Sequence, residues 1–223
     1  MKALIFDVDG TLAETEELHR QAFNHTFRDA GLDWHWSIET YTRLLKTTGG
    51  KERMRQWSDE MESFVPDHEI AVLHRKKTER YASLLEGGAV TLRPGIADLI
   101  GFAREAGLRL AIATTTNRPN VDALCLACFE KPANKVFEVI AAGDEVAAKK
   151  PAPDVYLLAL ERLGLEAGDA IALEDSRNGV LSAKEAGLRV VAAPSIYTAS
   201  DDLSMADRVT EHLSPWIFAG DFP

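Results

Sequence analysis

The chain has 223 residues, 46% of them hydrophobic, and its 25 Lys and Arg against 35 Asp and Glu give a formal net charge of −10. So acidic a surface is unsuited to general binding of nucleic-acid phosphates, and no apolar run reaches the roughly 18 residues of a membrane span. Because two cysteines cannot form a disulfide framework, we expect a soluble, globular protein of the cytoplasm or an equivalent reducing compartment.

Five short, nearly continuous apolar runs predict strands that are buried on both faces. Amphipathic stretches between the later runs predict helices, three of which stop at a glycine. This alternation predicts an α/β fold with a doubly wound, Rossmann-like parallel sheet. The predicted strands are residues 3–6, 108–113, 139–142, 170–173 and 189–193, and the predicted helices are residues 96–106, 120–129, 154–163 and 178–186.

The interval from residue 14 to residue 88 breaks this alternation. It contains helical patterns, at residues 16–30 and 68–85, and no convincing strand. So long an interval is not a loop in a compact domain. We therefore predict a small α-helical domain inserted at residues 14–88, with residues 1–13 and 89–223 forming the Rossmann-like core. The sequence after about residue 201 predicts no element.

The segment Asp7-Val8-Asp9-Gly10-Thr11 follows the first predicted strand. Residues two apart in an extended chain point to the same side, so both carboxylates are expected beyond the carboxyl end of the strand, where open α/β sheets bind ligands. Two acids so close favour a bound cation or a shared proton. The structural alternative is an acidic loop that only caps the strand. A calcium loop fits less well, because position 11 is Thr.

Three further polar segments accompany the later strands: Thr-Thr-Thr-Asn at residues 114–117, Glu-Asp-Ser at residues 174–176, and Lys150 before a Pro-Ala-Pro-Asp run. Each has a simple alternative: a helix cap, a solvated acid pair or a surface turn. Their joint occurrence at strand ends predicts a catalytic site instead. Hydroxyls and amides suit phosphate oxygens, and two or three carboxylates are enough for Mg²⁺.

Together these segments resemble the four motifs of the haloacid dehalogenase superfamily of phosphotransferases, over nearly the whole chain. The helical insertion resembles the small mobile cap of that superfamily. The resemblance rests on Asp7-x-Asp9-Gly10-Thr11, Thr114, Lys150 with its Pro-x-Pro-Asp, and Glu174-Asp175-Ser176.

The resemblance implies a role for each residue of these motifs. Asp7 would be the nucleophile that forms an aspartyl-phosphate, and Asp9 the general acid and then the base. Thr114 and Lys150 would hold the transferring phosphoryl group. The Mg²⁺ cofactor would be held by the Asp7 carboxylate, the Asp9 carbonyl and Asp175, with Glu174 supporting.

Specificity is then expected in the insertion. Glu16 and His19 share a face at the start of its first predicted helix, although a lone histidine is as often structural. The Gly49-Gly50-Lys51 segment opens another helix and suggests an anion site, the alternative being an ordinary N-terminal loop. In the basic run at residues 74–77 at most one or two side chains can face a pocket, and the alternative is a solvated face.

The order of these segments resembles the CbbY family, which acts as a xylulose-1,5-bisphosphate phosphatase and removes a Calvin-cycle misfire product that inhibits rubisco. The resemblance implies that Glu16 and His19 contact the sugar chain. The residues that would hold the distal phosphate are Gly50, Lys51, Arg75 and Lys77, and those that would line the floor are Thr115, Asn117 and Asn120. Lys76 leaves open which lysine faces inward.

Other functions stay open at this point. A β-phosphoglucomutase-like phosphotransferase shares the scaffold and the His19 and Lys51 positions. A broad-specificity sugar phosphatase or phosphoglycolate phosphatase is a further enzyme, and an inactive binding module is the non-enzymatic alternative. The Cys125-x-x-Cys128 pair fits helix packing better than a metal or redox site. We expect a monomer that acts on a phosphorylated sugar, without a nucleic-acid or membrane partner.

Overall fold

A computed structural model describes residues 1–88 and 90–218 of the chain. In this part, six parallel strands form one sheet in the order β3-β2-β1-β4-β5-β6. The five predicted strands are confirmed, with ends that differ by no more than one residue. The strands are β1 (Ala3–Phe6), β2 (Arg109–Ala113), β3 (Val139–Ala141), β4 (Ala170–Glu174), β5 (Arg189–Ala192) and β6 (Arg208–Val209).

Helices cover both faces of this sheet, as the doubly wound prediction requires. Alternate residues of β1 point to opposite faces: Leu4 and Phe6 pack in one buried cluster, whereas Ala3 and Ile5 pack in the other. Because both faces are covered, the strands read as continuous apolar runs. The helices around the sheet are α5 (Ile96–Glu105), α6 (Arg118–Phe129), α7 (Asp154–Leu163) and α8 (Arg177–Glu185).

The sixth strand lies in the tail where the sequence predicts no element. Strand β6 has two residues and pairs with β5 at the edge of the sheet. Arg208 is half-buried and Val209 is exposed. So short an edge strand buries no apolar face, and it is held by its backbone pairing and by the Arg208 side chain, which donates to the Ile217 carbonyl at 2.5 Å; this is why no hydrophobic pattern marks it. Residues 219–223 and Ala89, which belong to the predicted core, lie outside the described residues.

Four helices between β1 and α5 form a layer above the carboxyl ends of the strands, and we call them the cap. They have their own buried aromatic cluster, which includes Phe23, Phe27, Trp36 and Tyr41. The two predicted helical patterns are confirmed to within a residue, whereas α2 was not predicted. The cap helices are α1 (Glu16–Asp29), α2 (Ile38–Leu44), α3 (Gly50–Glu60) and α4 (Asp67–Glu86).

The limits of the cap as a domain, residues 14–88, stay a prediction. No helix in the described ranges is long and apolar enough to cross a membrane.

Candidate active site

The candidate site lies where the carboxyl ends of β1, β2 and β4 meet. Strand β1 pairs with both neighbours in parallel, and Phe6, its last residue, is level with Ile112 and Leu173. The segments that follow these strands therefore emerge side by side. Between them and the cap is a pocket of about 940 Å³.

All but one of the predicted site residues line this pocket, and the exception, Glu174, is fully buried beneath it. The lining residues are Asp7, Asp9, Glu16, His19, Gly50, Lys51, Arg75, Lys77, Thr114, Thr115, Asn117, Asn120, Lys150 and Asp175.

Lys150 is the central cation of the site and is 3% exposed. Its Nζ donates hydrogen bonds to Asp7 Oδ1 at 2.7 Å, Glu174 Oε1 at 2.6 Å and the Ala113 carbonyl at 2.9 Å. Tyr156 donates a further hydrogen bond to Glu174 Oε1, at 2.6 Å. All three protons of the ammonium are thus used, so Lys150 has one defined position beside Asp7.

Burial makes ionisation of the carboxylates near Lys150 less favourable. Desolvation raises the pKa of Asp7 although Lys150 opposes this, and it raises the pKa of Asp175, with the charges of Asp7 and Glu174 adding to the effect. Burial alone would lower the pKa of Lys150, but the charges of Asp7 and Glu174 raise it. One ammonium therefore faces three acids, and full ionisation of the acids requires a further positive charge.

A divalent cation fits this cluster. Asp7, Glu174 and Asp175 are buried and offer carboxylate oxygens that all lie within 4.8 Å of one another, which is the oxygen donor set of a hard cation. Gly10 keeps the space open: its φ is +83°, and a Cβ there would lie 2.2 Å from Asp175 Oδ2. The side chain of Asp9 does not belong to this oxygen cluster.

The carboxylate of Asp9 is held by residues at the start of the cap. Its Oδ1 accepts hydrogen bonds from Thr15 Oγ1 at 2.6 Å and from His19 Nε2 at 2.9 Å. Burial and Lys77 lower the pKa of His19, so the imidazole is neutral near pH 7 and acts on Asp9 as a hydrogen-bond donor. Burial raises the pKa of Asp9, but the electrostatic attraction and hydrogen bond of His19, together with the hydrogen bond from Thr15, outweigh it and hold the pKa of Asp9 below its usual range.

The arrangement around His19 also identifies the inward-facing lysine. Lys77 is buried, its Nζ lies 2.5 Å from His19 Nδ1, and Lys76 is exposed. Because Lys77 donates to Nδ1, the neutral imidazole carries its proton on Nε2, toward Asp9. Burial lowers the pKa of Lys77 to about 7.

One pocket residue that the sequence reasoning missed is Arg53. Its guanidinium donates to Tyr41 Oη at 2.9 Å, and Tyr41 donates to Glu16 Oε2 at 2.6 Å. Arg53 lies on α3 one turn after Gly50, so the helical period could have indicated it. The contact with Glu16, by contrast, depends on the packing of α2 against α1.

Several bonds connect the cap to the core around the pocket. Lys149 Nζ forms an ion pair with Glu52 Oε2 at 3.0 Å, and Thr48 donates to the Lys150 carbonyl. On the opposite side, Asn117 Nδ2 donates to Thr78 Oγ1 at 3.2 Å. These bonds hold the basic cap residues over the carboxylate cluster.

Two core helices begin at the pocket. Asn117 caps α6 by accepting from the Asn120 amide at 3.2 Å, and Ser176 caps α8 by accepting from the Gly179 amide at 3.2 Å. Helix N-termini favour anions. Buried carboxylates, a fixed ammonium and anion-binding groups suit transfer of a phosphoryl group.

Comparison with known proteins shows that this chain is similar to the members of one family. Residues 1–187 match the model of the haloacid dehalogenase-like hydrolases. The protein CbbY of Rhodobacter capsulatus is 63% identical over 207 residues, which are 93% of this chain and 91% of that protein.

Two solved structures of CbbY from Rhodobacter sphaeroides have the same fold. One, in complex with phosphate, is 53% identical with a TM-score of 0.94, covering 97% of this chain and 96% of that one. The other, an Asp-to-Asn variant in complex with xylulose-1,5-bisphosphate, is 54% identical with a TM-score of 0.92, covering 95% and 94%. The chain therefore belongs to the haloacid dehalogenase-like hydrolases.

Proposed function

We propose that this protein is a Mg²⁺-dependent sugar-phosphate phosphatase that converts xylulose-1,5-bisphosphate to xylulose 5-phosphate through an aspartyl-phosphate. The observation that carries the proposal is the buried contact of Lys150 with Asp7, at 2.7 Å, beneath a cap with basic residues. The xylulose-1,5-bisphosphate complex of the similar CbbY supports the choice of substrate.

In the first step, a carboxylate oxygen of Asp7 attacks the phosphorus, and the bond from phosphorus to the sugar oxygen breaks. Lys150 and Thr114 hold the phosphoryl oxygens, Lys150 by giving up one of its three present acceptors, and the ammonium offsets the charge that collects on these oxygens. The cation would be held by the carboxylates of Asp7 and Asp175 and the carbonyl of Asp9, with Glu174 supporting, and would neutralise further phosphoryl charge there.

Asp9 moves the protons in this mechanism. Its pKa is low without substrate and rises when a phosphate dianion lies beside it, because like charges oppose ionisation. The protonated Asp9 then protonates the leaving sugar oxygen. As a carboxylate, it next takes a proton from the water that attacks the aspartyl-phosphate. Thr15 and His19 orient it throughout.

The second phosphate of the substrate would bind under the cap. Arg53, Lys77 and His74 line this part of the pocket, and Lys51 and Arg75 lie exposed at its mouth. Gly50 lets the His74 imidazole approach helix α3 closely, because a Cβ at position 50 would lie only 2.8 Å from His74 Nε2. Burial lowers the pKa of His74 to about 3, and the charges of Lys77 and Lys51 add to this effect; a bound phosphate would offset these neighbouring positive charges.

The remaining assignments belong to the same proposal. The core is residues 1–13 and 89–223, the cap is residues 14–88, and the sugar chain contacts Glu16 and His19. Thr115, Asn117 and Asn120 line the floor of the pocket. The enzyme acts as a monomer in the cytoplasm or a similar reducing compartment, which agrees with the free thiols of Cys125 and Cys128.

The test is phosphate release from a panel of sugar phosphates, with and without Mg²⁺. The panel contains xylulose-1,5-bisphosphate, ribulose-1,5-bisphosphate, fructose-1,6-bisphosphate, β-glucose-1-phosphate and phosphoglycolate. We expect a strong, Mg²⁺-dependent preference for the first, with ribulose-1,5-bisphosphate spared. Similar slow rates on all five would overturn the substrate, and glucose 6-phosphate formed from β-glucose-1-phosphate would identify a mutase instead.

A further inference from the structure

The loop after β5, residues 194–198, contacts both the carboxylate cluster and the cap. Thr198 contacts Asp175, and the preceding residue, Tyr197, contacts the cap. Thr198 and Ser195 are buried, at 8% and 4% exposure. The side chain of Thr198 points to Asp175: its Oγ1 lies 3.0 Å from Asp175 Oδ2 and 2.8 Å from the Asp175 carbonyl. The proposed function uses neither residue.

The hydroxyl of Thr198 has three oxygens within 3.0 Å: the Asp175 carbonyl, Asp175 Oδ2 and Ser195 Oγ. The backbone amide of Ser195 donates to Thr198 Oγ1 at 2.8 Å, so one lone pair of the hydroxyl is occupied. A hydroxyl has a single proton to donate, and both oxygens of Asp175 within reach of it accept only. Thr198 Oγ1 therefore lies against both the main chain and the carboxylate of Asp175, whose other carboxylate oxygen has Thr11 Oγ1 at 3.5 Å.

The next residue in the loop joins the cap. Tyr197 Oη donates to Glu17 Oε2 at 2.5 Å, and its ring packs edge-on against Tyr41 with 5.8 Å between centroids. Glu17 is itself fixed, because the guanidinium of Arg20 donates to both of its carboxylate oxygens, at 2.9 and 2.7 Å. Tyr197 is thus attached to the first helix of the cap rather than to a mobile side chain.

The base of the loop is clamped as well. Arg93 donates to the carbonyls of Ala193 and Pro194, at 2.9 and 2.7 Å, and its Nε lies 3.1 Å from Glu14 Oε1. Tyr197 and Thr198 are neighbours, with Cα atoms about 3.8 Å apart, so a shift of the backbone at Tyr197 in this clamped loop also affects Thr198. A displacement of the cap is therefore transmitted to Asp175.

We propose that Thr198 is a positioning residue for the cation-binding carboxylate of Asp175, and that Tyr197 makes this positioning depend on the place of the cap. The inference rests on the proposed function, which assigns the cation to Asp175. It has a thermodynamic consequence. If the loop couples the position of the cap to that of Asp175, the cation and the bisphosphate bind cooperatively, and each raises the affinity of the protein for the other by the same factor.

The first experiment measures Mg²⁺ binding to the intact protein by calorimetry, without substrate. Outer partners of metal ligands typically change affinity about 10- to 100-fold, so Thr198→Val is expected to weaken Mg²⁺ binding by at least ten-fold. Thr198→Ser keeps the hydroxyl and should restore it. Thr210→Val, which alters a threonine outside the pocket, is the matched control, and thermal unfolding shows that each variant folds.

The second experiment measures the coupling. Turnover is blocked with Asp7→Asn. The Mg²⁺ dissociation constant is then determined for this variant and for the double variant Asp7→Asn with Tyr197→Phe, each with and without saturating xylulose-1,5-bisphosphate. Because the direct attraction between cation and phosphate is common to both proteins, a fall in the coupling factor isolates the loop. We expect a fall of about five-fold or more.

The outcomes are distinguishable. Equal Mg²⁺ affinity of the wild-type protein and Thr198→Val would overturn the positioning role, and an unchanged coupling factor in Tyr197→Phe would overturn the link to the cap. A wild-type protein that binds no Mg²⁺ would overturn the proposed function itself, and the inference with it.

Discussion

Replacing Lys150 by methionine removes the ammonium but keeps a side chain of similar length. Asp7, Glu174 and the Ala113 carbonyl each lose a hydrogen bond of 2.9 Å or less. Breaking a buried ion pair by removing one partner costs about 3–5 kcal/mol, because the remaining charge is left uncompensated. We therefore expect the free energy of unfolding to fall by about that amount near pH 8, when no Mg²⁺ is present.

The loss should depend on pH. Without Lys150, the buried carboxylate of Asp7 binds a proton more tightly in the folded protein than it does beside the ammonium, so its folded pKa rises further. A group with a raised folded pKa stabilises the protein fully below its unfolded pKa of about 4, and this stabilisation is lost as the pH rises through the folded value. At pH 5 a protonated Asp7 leaves no uncompensated charge of its own, so the cost should be smaller than at pH 8; the orphaned Ala113 carbonyl contributes about 1–3 kcal/mol of it.

The assay is equilibrium unfolding in urea, with a chelator present, at pH 5 and pH 8. The matched control is Lys149→Met, because Lys149 is the neighbouring residue and its ion pair with Glu52 is partly exposed. Such a pair contributes at most about 1 kcal/mol. An equal loss for Lys150→Met at both pH values, or a loss no larger than that of the control, would refute the reasoning. Phosphate release by Lys150→Met should fall at least about 100-fold.

Asp7→Asn should abolish phosphate release while the protein still unfolds cooperatively on heating; undiminished release would exclude Asp7 as the nucleophile. Lys51→Ala should raise KM for bisphosphates far more than for monophosphates. The exposed control Lys76→Ala should change neither KM value. Equal effects of Lys51→Ala on both kinds of substrate would exclude Lys51 from the distal phosphate site. Tyr41→Phe breaks the bond to Glu16 and should raise KM about ten-fold at similar kcat; an unchanged KM in steady-state assays would contradict that role.

The strands of the core are predictable because they obey a local rule. A strand buried on both faces needs an apolar residue at every position, so β1 and β4 are visible in the sequence without knowledge of their neighbours. The site follows from the same rule, since parallel strands bring their carboxyl ends to one edge. This is how Asp7 and Lys150, 143 positions apart, could be predicted to meet.

The elements that the sequence did not indicate are those stabilised by distant contacts. Helix α2 has seven residues, fewer than an isolated helix needs, and it is held by packing of Tyr41 in the aromatic cluster of the cap. Strand β6 exists through its pairing with β5. Neither leaves a periodic pattern of its own.

The choice between Lys76 and Lys77 shows the same limit within a helix that was correctly predicted. Both fit the basic run, and only the packing of α4 against α1 buries Lys77 beside His19. The chemistry at the strand ends was determined by the sequence itself, because it depends on residue type and on strand direction. The cap contacts, such as that of Tyr197 with Glu17 across 180 positions, were decided only by the tertiary structure, because they depend on how separately formed elements pack together.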